Sequence, residues 1–230
     1  MEKPPSAKSK GDVARDVGRA IVSLVPAAGG PLQVAFENLF TSPLEQRKQA
    51  WLEQLAEVLT EVEQRIADLT PEKLASNEVF VTVVMQASQV ALRNHHKSKL
   101  NALRNAVLNA ALPSAPEEDE QLTFLRLIDQ LAPWHLRVLG VLDNPELWMR
   151  EHEIQNPGWS AGGPSTVLEH CLPELRGQRE IYDQIVRDLQ ADGLLGQGQF
   201  LHTTMTGDGM MGSRTTGRGK RFIQFISAPQ

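Results

Sequence analysis

The sequence predicts a mainly α protein, in which an N-terminal helical bundle precedes a C-terminal winged-helix-like domain of the α+β class. Apolar residues recur at three- and four-residue spacing over most of the chain, which is typical of amphipathic helices. An acidic, proline-containing run at residues 113–121 separates two such regions. After the last helix pattern, a glycine-rich stretch lies between two short apolar-polar runs, which indicates a β-hairpin.

Composition and charge limit the classes of protein to which the chain can belong. Its 230 residues, 41% of them hydrophobic, are enough to bury a genuine core. The single cysteine, Cys171, excludes an intrachain disulfide framework and fits a reducing compartment, so we expect a cytoplasmic protein. The formal net charge of -5 argues against nucleic-acid binding by the whole surface, but it leaves room for a local basic face.

The first 40 residues predict a leader and a helical hairpin. Residues 1–11 contain lysines and prolines and lack the apolar region of a secretory signal, which indicates a disordered leader. Helix patterns lie on either side of the breaker cluster 26–31, so residues 13–40 indicate a tight hairpin. Residues 20–36 are uncharged, and the hairpin could therefore act on a membrane. A spanning helix needs roughly 20 predominantly apolar residues, whereas this stretch is interrupted at its middle.

Residues 12–112 form the predicted helical bundle. An apolar stripe begins at Trp51, in a helix that we expect to start at Pro43 and to end before Pro71. Asn77 is a candidate N-cap for a second helix of about 30 residues. Residues 113–121, with their prolines and consecutive acids, are the predicted solvated linker and the domain boundary.

Residues 122–230 form the predicted winged-helix-like domain. Thr166 and Glu169 have the spacing of a capping box at the start of one helix. The last helix, at residues 178–191, ends before Gly193, which suits the position after a helix C-cap. The runs 198–205 and 214–226 indicate two strands joined by a glycine-rich turn. Three helices followed by a hairpin are a winged-helix arrangement.

The residue types of common catalytic and cofactor sites occur in unsuitable patterns. Residues 207–212, GDGMMG, match the dinucleotide-binding fingerprint as text, but they lie in the turn of the predicted hairpin, and the helix required after the motif is not predicted. His95 and His96 are adjacent on a predicted helix, so their side chains point about 100° apart and cannot share a metal as residues four apart do. Cys171 is interpreted as a small buried residue. We therefore expect no catalytic residue, cofactor or metal site, and no small-molecule substrate is evident.

The charges of the predicted winged-helix-like domain are distributed unevenly. The last helix carries more acidic than basic residues, so phosphates would be repelled from the position of a recognition helix. The predicted hairpin, by contrast, contains a basic group that could contact a phosphate backbone or an acidic protein partner. Its members are Arg214, Arg218, Lys220 and Arg221, supported by His202.

Two segments carry a resemblance to a known group of proteins. Residues 25–31, VPAAGGP, lie between short helix patterns, and residues 215–226, TTGRGKRFIQFI, end the last predicted module. With the long helices between them, this arrangement resembles poorly characterised bacterial proteins of the abortive-infection alpha type. The resemblance implies a bacterial cytoplasmic protein with a role in phage defence and without enzyme activity.

Three functions are compatible with these patterns. The first is a non-enzymatic interaction or regulatory protein, in which the winged-helix-like module contacts an unknown protein partner or a second copy of the chain. The second is a DNA-binding transcriptional regulator, which we would expect to be dimeric because paired half-sites are common for such modules. The third is a membrane-active effector that uses the hairpin at residues 13–40.

Overall fold

The computed structural model describes residues 31–66 and 70–229, which divide into two compact units. Unit 1 comprises the described residues up to Ile128, together with residues 226–229, and unit 2 comprises Asp129–Phe225. The predicted leader and the first helix of the predicted hairpin lie outside the described residues. The described part of the chain is mainly helical and has one small two-stranded sheet.

The first five helices account for most of unit 1. The longest, α1, has 35 residues and continues through Pro43, so the helix boundary predicted there is wrong. A proline inside a helix removes one hydrogen bond, and the helical turns on both sides continue the element across it. The bounds of the five helices are α1 Pro31–Arg65, α2 Pro71–Ser76, α3 Glu78–Arg93, α4 Lys97–Ala110 and α5 Glu118–Gln130. Of the predicted linker 113–121, the residues from Glu118 onwards therefore lie in a helix.

The predicted N-cap of α3, Asn77, is confirmed, whereas the predicted helix of about 30 residues is wrong. Thr70 caps α2, whose first residue is Pro71, and the Asn77 side chain accepts a hydrogen bond from the Phe80 amide at the start of α3. Helix α3 ends before Asn94. The side-chain amide of Asn94 donates a hydrogen bond to the Val90 carbonyl, one of the acceptors that a helix end leaves without a partner in the helix. Two separate helices, α3 and α4, follow from this interruption.

The core of unit 1 lies where α1, α3 and α4 pack against one another. Val58, Val83 and Leu103 are completely buried there, as the apolar stripes predict. Trp51 is also buried and donates its indole hydrogen to Ser88, the polar side chain that α3 contributes to this core. Apolar burial, with the hydrogen bond between Trp51 and Ser88 inside it, thus holds the three long helices.

Unit 2 consists of short helices connected by loops. The α-helices are α6 Pro133–Asp143, α7 Pro145–Glu151, α8 Pro164–Cys171, α9 Arg179–Ala191, α10 Gly207–Met211 and α11 Gly217–Ile226, whose last residue belongs to unit 1; a 3-10 turn covers Pro173–Leu175. The sheet pairs β1 Ala161–Gly162 with β2 Met205–Thr206 in antiparallel orientation. The predicted end of α9 is confirmed, since Gly193 follows it with a φ of 71°.

The second strand of the predicted hairpin is wrong, because most of residues 214–226 form helix α11. Thr216 caps this helix by accepting a hydrogen bond from the Gly219 amide, and Phe222 and Phe225, three residues apart, are both buried. Of the first predicted strand, only Met205 is in β2, and its partner is β1 rather than the second run. A winged-helix arrangement is not confirmed.

Candidate functional site

The five basic side chains predicted to form one group have different environments. Arg214 is half-buried, and its Nη2 donates a hydrogen bond to the Gly209 carbonyl of α10. The same nitrogen lies 3.0 Å from the Met205 sulfur, and the guanidinium lies over the Phe200 ring, 5.7 Å from its centroid. Arg214 therefore stabilises its own unit and is poorly placed to contact a ligand.

His202 belongs with the acidic helix α9 and not with the cations of α11. Its Nε2 lies 2.7 Å from Oδ1 of Asp183, and the guanidinium of Arg179 approaches the other oxygen of that carboxylate at 3.5 Å. A second histidine, His135, similarly lies 3.3 Å from Asp188. Two acidic side chains of α9, Asp183 and Asp188, thus pair with histidines from other parts of the chain. The charges of α9 alone could not predict these pairs.

The remaining predicted residues lie together on α11. Arg218, Lys220 and Arg221, which we call the α11 cations, occupy its first two turns, and Lys220 and Arg221 are exposed. Arg218 is half-buried near Gly193. A helix N-terminus carries partial positive charge, so cations there oppose the helix dipole and would favour an anion nearby. Lys220 and Arg221 are thus the exposed cations among the predicted Arg and Lys residues.

The two side chains of unit 2 that are considered as nucleophiles are buried, and burial raises the pKa of each. Cys171 is buried, and this burial raises the pKa of its thiol to about 11, so the reactive thiolate is disfavoured. The Tyr182 hydroxyl donates to Glu169 at 2.9 Å, and burial, reinforced by that carboxylate, raises the pKa of the phenol to about 12. The predicted capping box is wrong, because Gly163 is the N-cap of α8 and Glu169 binds Tyr182 instead.

The remaining motifs also lie in positions that differ from the predicted ones. His95 and His96 lie in the turn between α3 and α4 rather than on a helix, are exposed, and have ring centroids 4.1 Å apart. In residues 31–66 and 70–229, no group of three or more His, Cys, Asp and Glu side chains could hold a metal ion.

Residues 207–211 of the dinucleotide-like motif form α10 itself, so the motif does not precede a helix. None of the described helices has the length and apolar character required to cross a membrane.

A different site, which the sequence reasoning missed, lies in unit 1. Three side chains of α1 and α4 donate hydrogen bonds to main-chain carbonyls of the segment at residues 226–229. The Nδ2 atoms of Asn105 and Asn109 lie 2.9 Å from the carbonyl oxygens of Ile226 and Ser227, respectively. Nη2 of Arg65 lies 3.2 Å from the carbonyl oxygen of Pro229. We call Arg65, Asn105 and Asn109 the carbonyl clamp.

A network of charged side chains orients two members of the carbonyl clamp. Glu61 accepts hydrogen bonds from Arg65 at 3.1 Å and from Arg104 at 2.8 Å, one on each carboxylate oxygen. Arg104 also donates to Oδ1 of Asn105 at 3.4 Å, which leaves the Asn105 amide group directed at Ile226. Asn105 and Asn109 are four residues apart on α4 and so share one helix face. These contacts orient Arg65 and Asn105 towards the segment.

The carbonyl clamp binds main chain, which every polypeptide possesses. The side chains of Ser227 and Ala228 are exposed, so the clamp does not select for particular side chains at these two positions. Beside the network, a shallow depression of about 470 Å³ runs along α1 and is lined by Ala56, Glu57, Thr60, Glu61 and Gln64. The site can hold an extended segment by its carbonyls and has open space next to it.

The sequence contains one signal that could have indicated this site. Asn101, Asn105 and Asn109 occur at four-residue intervals inside α4. Asparagine is a poor helix former and is more typical of caps and turns, so a row of three on one helix suggests a role beyond helix formation. No family model, curated protein or solved structure matches this chain.

Proposed function

We propose that this chain is a non-enzymatic interaction protein that binds an extended segment of a protein partner through the carbonyl clamp. The observation that carries the proposal is the set of three hydrogen bonds from Arg65, Asn105 and Asn109 to the carbonyls of one short segment. The resemblance to abortive-infection alpha-type proteins supports a setting in phage defence in the bacterial cytoplasm.

The strength of such a site follows from its hydrogen bonds. Each neutral bond contributes about 0.5–1.5 kcal/mol net, and the bond from the charged Arg65 contributes about 1.5–3 kcal/mol. This suffices for a covalently linked segment, because linkage raises the effective concentration to the millimolar range. A separate partner needs additional contacts, for which the depression beside Glu61 offers space.

The environments of the reactive side chains in unit 2 support a non-enzymatic role. A nucleophile requires a lowered pKa or an adjacent base, whereas the pKa values of Cys171 and Tyr182 are raised. The His202 and His135 rings are directed at carboxylates of α9. These groups serve the packing and hydrogen bonding of the unit itself.

The test is a comparison of partners recovered with matched variants of the full chain. Wild type, Asn105→Ala/Asn109→Ala and Asn101→Ala are tagged, expressed in bacterial cells, and compared for co-purifying proteins by quantitative mass spectrometry. Asn101 is an exposed asparagine of the same helix and serves as the control. We expect recovery of a partner to fall about tenfold in the double variant alone, since lost bonds of about 1.4 kcal/mol have that effect. Equal recovery from all three folded proteins would contradict the proposal.

A second candidate function, contact with a nucleic-acid backbone, is favoured by the α11 cations. Arg218, Lys220 and Arg221 stand on two successive turns without an acidic residue among residues 217–226. Single substitutions of these residues by Gln should weaken binding to duplex DNA and reduce its salt dependence by about one unit of slope per lost phosphate contact. Arg187→Gln on α9 is the control. Absence of salt-sensitive DNA binding by the wild-type chain would exclude this candidate.

A further inference from the structure

The segment at residues 226–229 shows which features the carbonyl clamp recognises. The bonded carbonyls belong to positions i, i+1 and i+3 of this segment, namely Ile226, Ser227 and Pro229. Ile226 is the last residue of α11, so its carbonyl has no partner within that helix. The following three residues are outside helices and strands. Every carbonyl that the clamp binds is therefore one that secondary structure leaves free.

We infer that the carbonyl clamp is an exchangeable receptor for peptide main chain, and that residues 226–229 are an intrachain occupant which an external peptide displaces. The ligand is a segment with free carbonyls at positions i, i+1 and i+3. This inference rests on the proposed function and deepens it by naming the class of ligand and its register.

The occupant also indicates the side chains that such a ligand carries. Ile226 at position i is half-buried, whereas Ser227 and Ala228 at the next two positions are exposed. Pro229 at position i+3 has no N–H to satisfy, and its ring restricts the chain to extended conformations, which lowers the entropy lost on binding. An apolar residue at i, unrestricted residues at i+1 and i+2, and proline at i+3 therefore match the clamp.

Asn105 is half-buried and Asn109 is buried, so exchange is expected to begin at the bond from Arg65. This bond lies at the protein surface, where the side chains of Arg65 and Glu61 remain 36% and 28% exposed. Water competes for such bonds, and a linked segment competes with a free peptide at an effective concentration on the order of millimolar. A short peptide should consequently displace it at about that concentration.

A label on the segment can measure this exchange in the full chain. Ala228 is exposed, and Ala228→Cys introduces the accessible thiol for a fluorophore. Cys171, the only native cysteine, is buried, so labelling is selective. The anisotropy of the label reports whether the segment is bound or free. The competing probe is the capped peptide Gln-Phe-Ile-Ser-Ala-Pro, which has the sequence of residues 224–229.

We expect the peptide to lower the anisotropy of the labelled protein with a midpoint of about 1 mM. A peptide in which the carbonyls of Ile and Ser are reduced to methylene groups should act about tenfold more weakly, because it lacks two acceptors. Adding Asn105→Ala/Asn109→Ala should release the label without peptide, whereas adding Asn101→Ala should leave the response unchanged. Arg65→Gln, compared with Arg47→Gln on the same helix, provides a second variant if the double variant does not fold.

The outcomes distinguish this inference from the proposed function. If the peptide leaves the label bound at ten times the expected concentration while Asn105→Ala/Asn109→Ala releases it, the segment is a fixed structural element and the inference is wrong. The proposed function still stands in that case if the same double variant loses its co-purifying partner. Displacement by the peptide together with unchanged partner recovery would support the inference and contradict the proposed function.

Discussion

The indole Nε1 of Trp51 lies 2.8 Å from Oγ of Ser88, and both side chains are buried in unit 1. Ser88 in turn donates to the Val84 carbonyl at 2.6 Å, so its oxygen is fixed as the acceptor for the indole. Ser88→Ala would leave the buried indole hydrogen without a partner. We expect it to lower the free energy of unfolding by about 1–3 kcal/mol, measured by urea denaturation of the full chain.

A double-mutant cycle separates this hydrogen bond from packing. Trp51→Phe removes the donor, so Ser88→Ala in that background should cost less than about 0.5 kcal/mol. An equal cost of Ser88→Ala in both backgrounds would show that the pair does not contribute as a hydrogen bond.

Helix α11 contains two glycines that should respond differently to alanine. A Cβ added to Gly219 would lie 2.1 Å from the Leu194 carbonyl oxygen, which is backbone and cannot turn aside. Gly219→Ala should therefore destabilise the protein by about 1–3 kcal/mol. A Cβ on Gly217 would have only Arg221 Nη1 as a neighbour, at 3.8 Å, so Gly217→Ala should be neutral or stabilise by up to about 1 kcal/mol. Similar melting temperatures for both variants would contradict this close approach.

Local signals predicted the start of α3 and the end of α9. Asn77 caps α3 as expected, and Gly193 follows α9 with the positive φ that its position requires. Each of these features depends on residues within one helical turn, so a short stretch of sequence is enough to predict it.

The end of unit 2 was not predictable in the same way. Phe222 and Phe225 fit either a short strand or the buried face of a helix, and nearby glycines and threonines favoured the strand. The helix is selected by the Thr216 cap and by the close contact of Gly219 with Leu194, a residue 25 positions earlier in the chain. Residues far apart in sequence likewise form the carbonyl clamp, since Asn105 and Ile226 are 121 positions apart. The asparagine spacing of α4 indicates a function but not the segment that it binds.

Cys171 should react slowly with alkylating agents in the folded protein. Burial raises the pKa of its thiol from 9.0 to about 11, so the thiolate fraction at mildly alkaline pH falls about a hundredfold. Mass spectrometry after timed treatment with iodoacetamide measures the rate. The protein unfolded in urea is the reference, and equal rates in the two states would show that the thiol is accessible. This low reactivity is also what makes a thiol label at position 228 selective.

Tyr182 offers the most direct test of the buried polar contacts of unit 2, because it is the only tyrosine in the chain. Burial, and then the hydrogen bond to Glu169, raise the pKa of its phenol to about 12. The ultraviolet absorbance of tyrosinate should therefore show a midpoint near 12 in the folded protein. Glu169→Gln should lower the pKa without restoring the ordinary value, since burial remains, and Glu180→Gln, an exposed residue of α9, should leave it unchanged.

The same shift predicts how stability depends on alkaline pH. The folded state keeps the Tyr182 proton between the ordinary pKa of 10.0 and the raised value of about 12, whereas the unfolded state loses it. The stabilisation that this group provides is thus fully present below pH 10.0 and is lost as the pH rises towards 12. Urea denaturation at a series of alkaline pH values should show a shallower decline for Tyr182→Phe than for wild type. Parallel declines, or a tyrosinate midpoint near 10.0 in the folded protein, would mean that the phenol is exposed to solvent and that its bond to Glu169 does not persist.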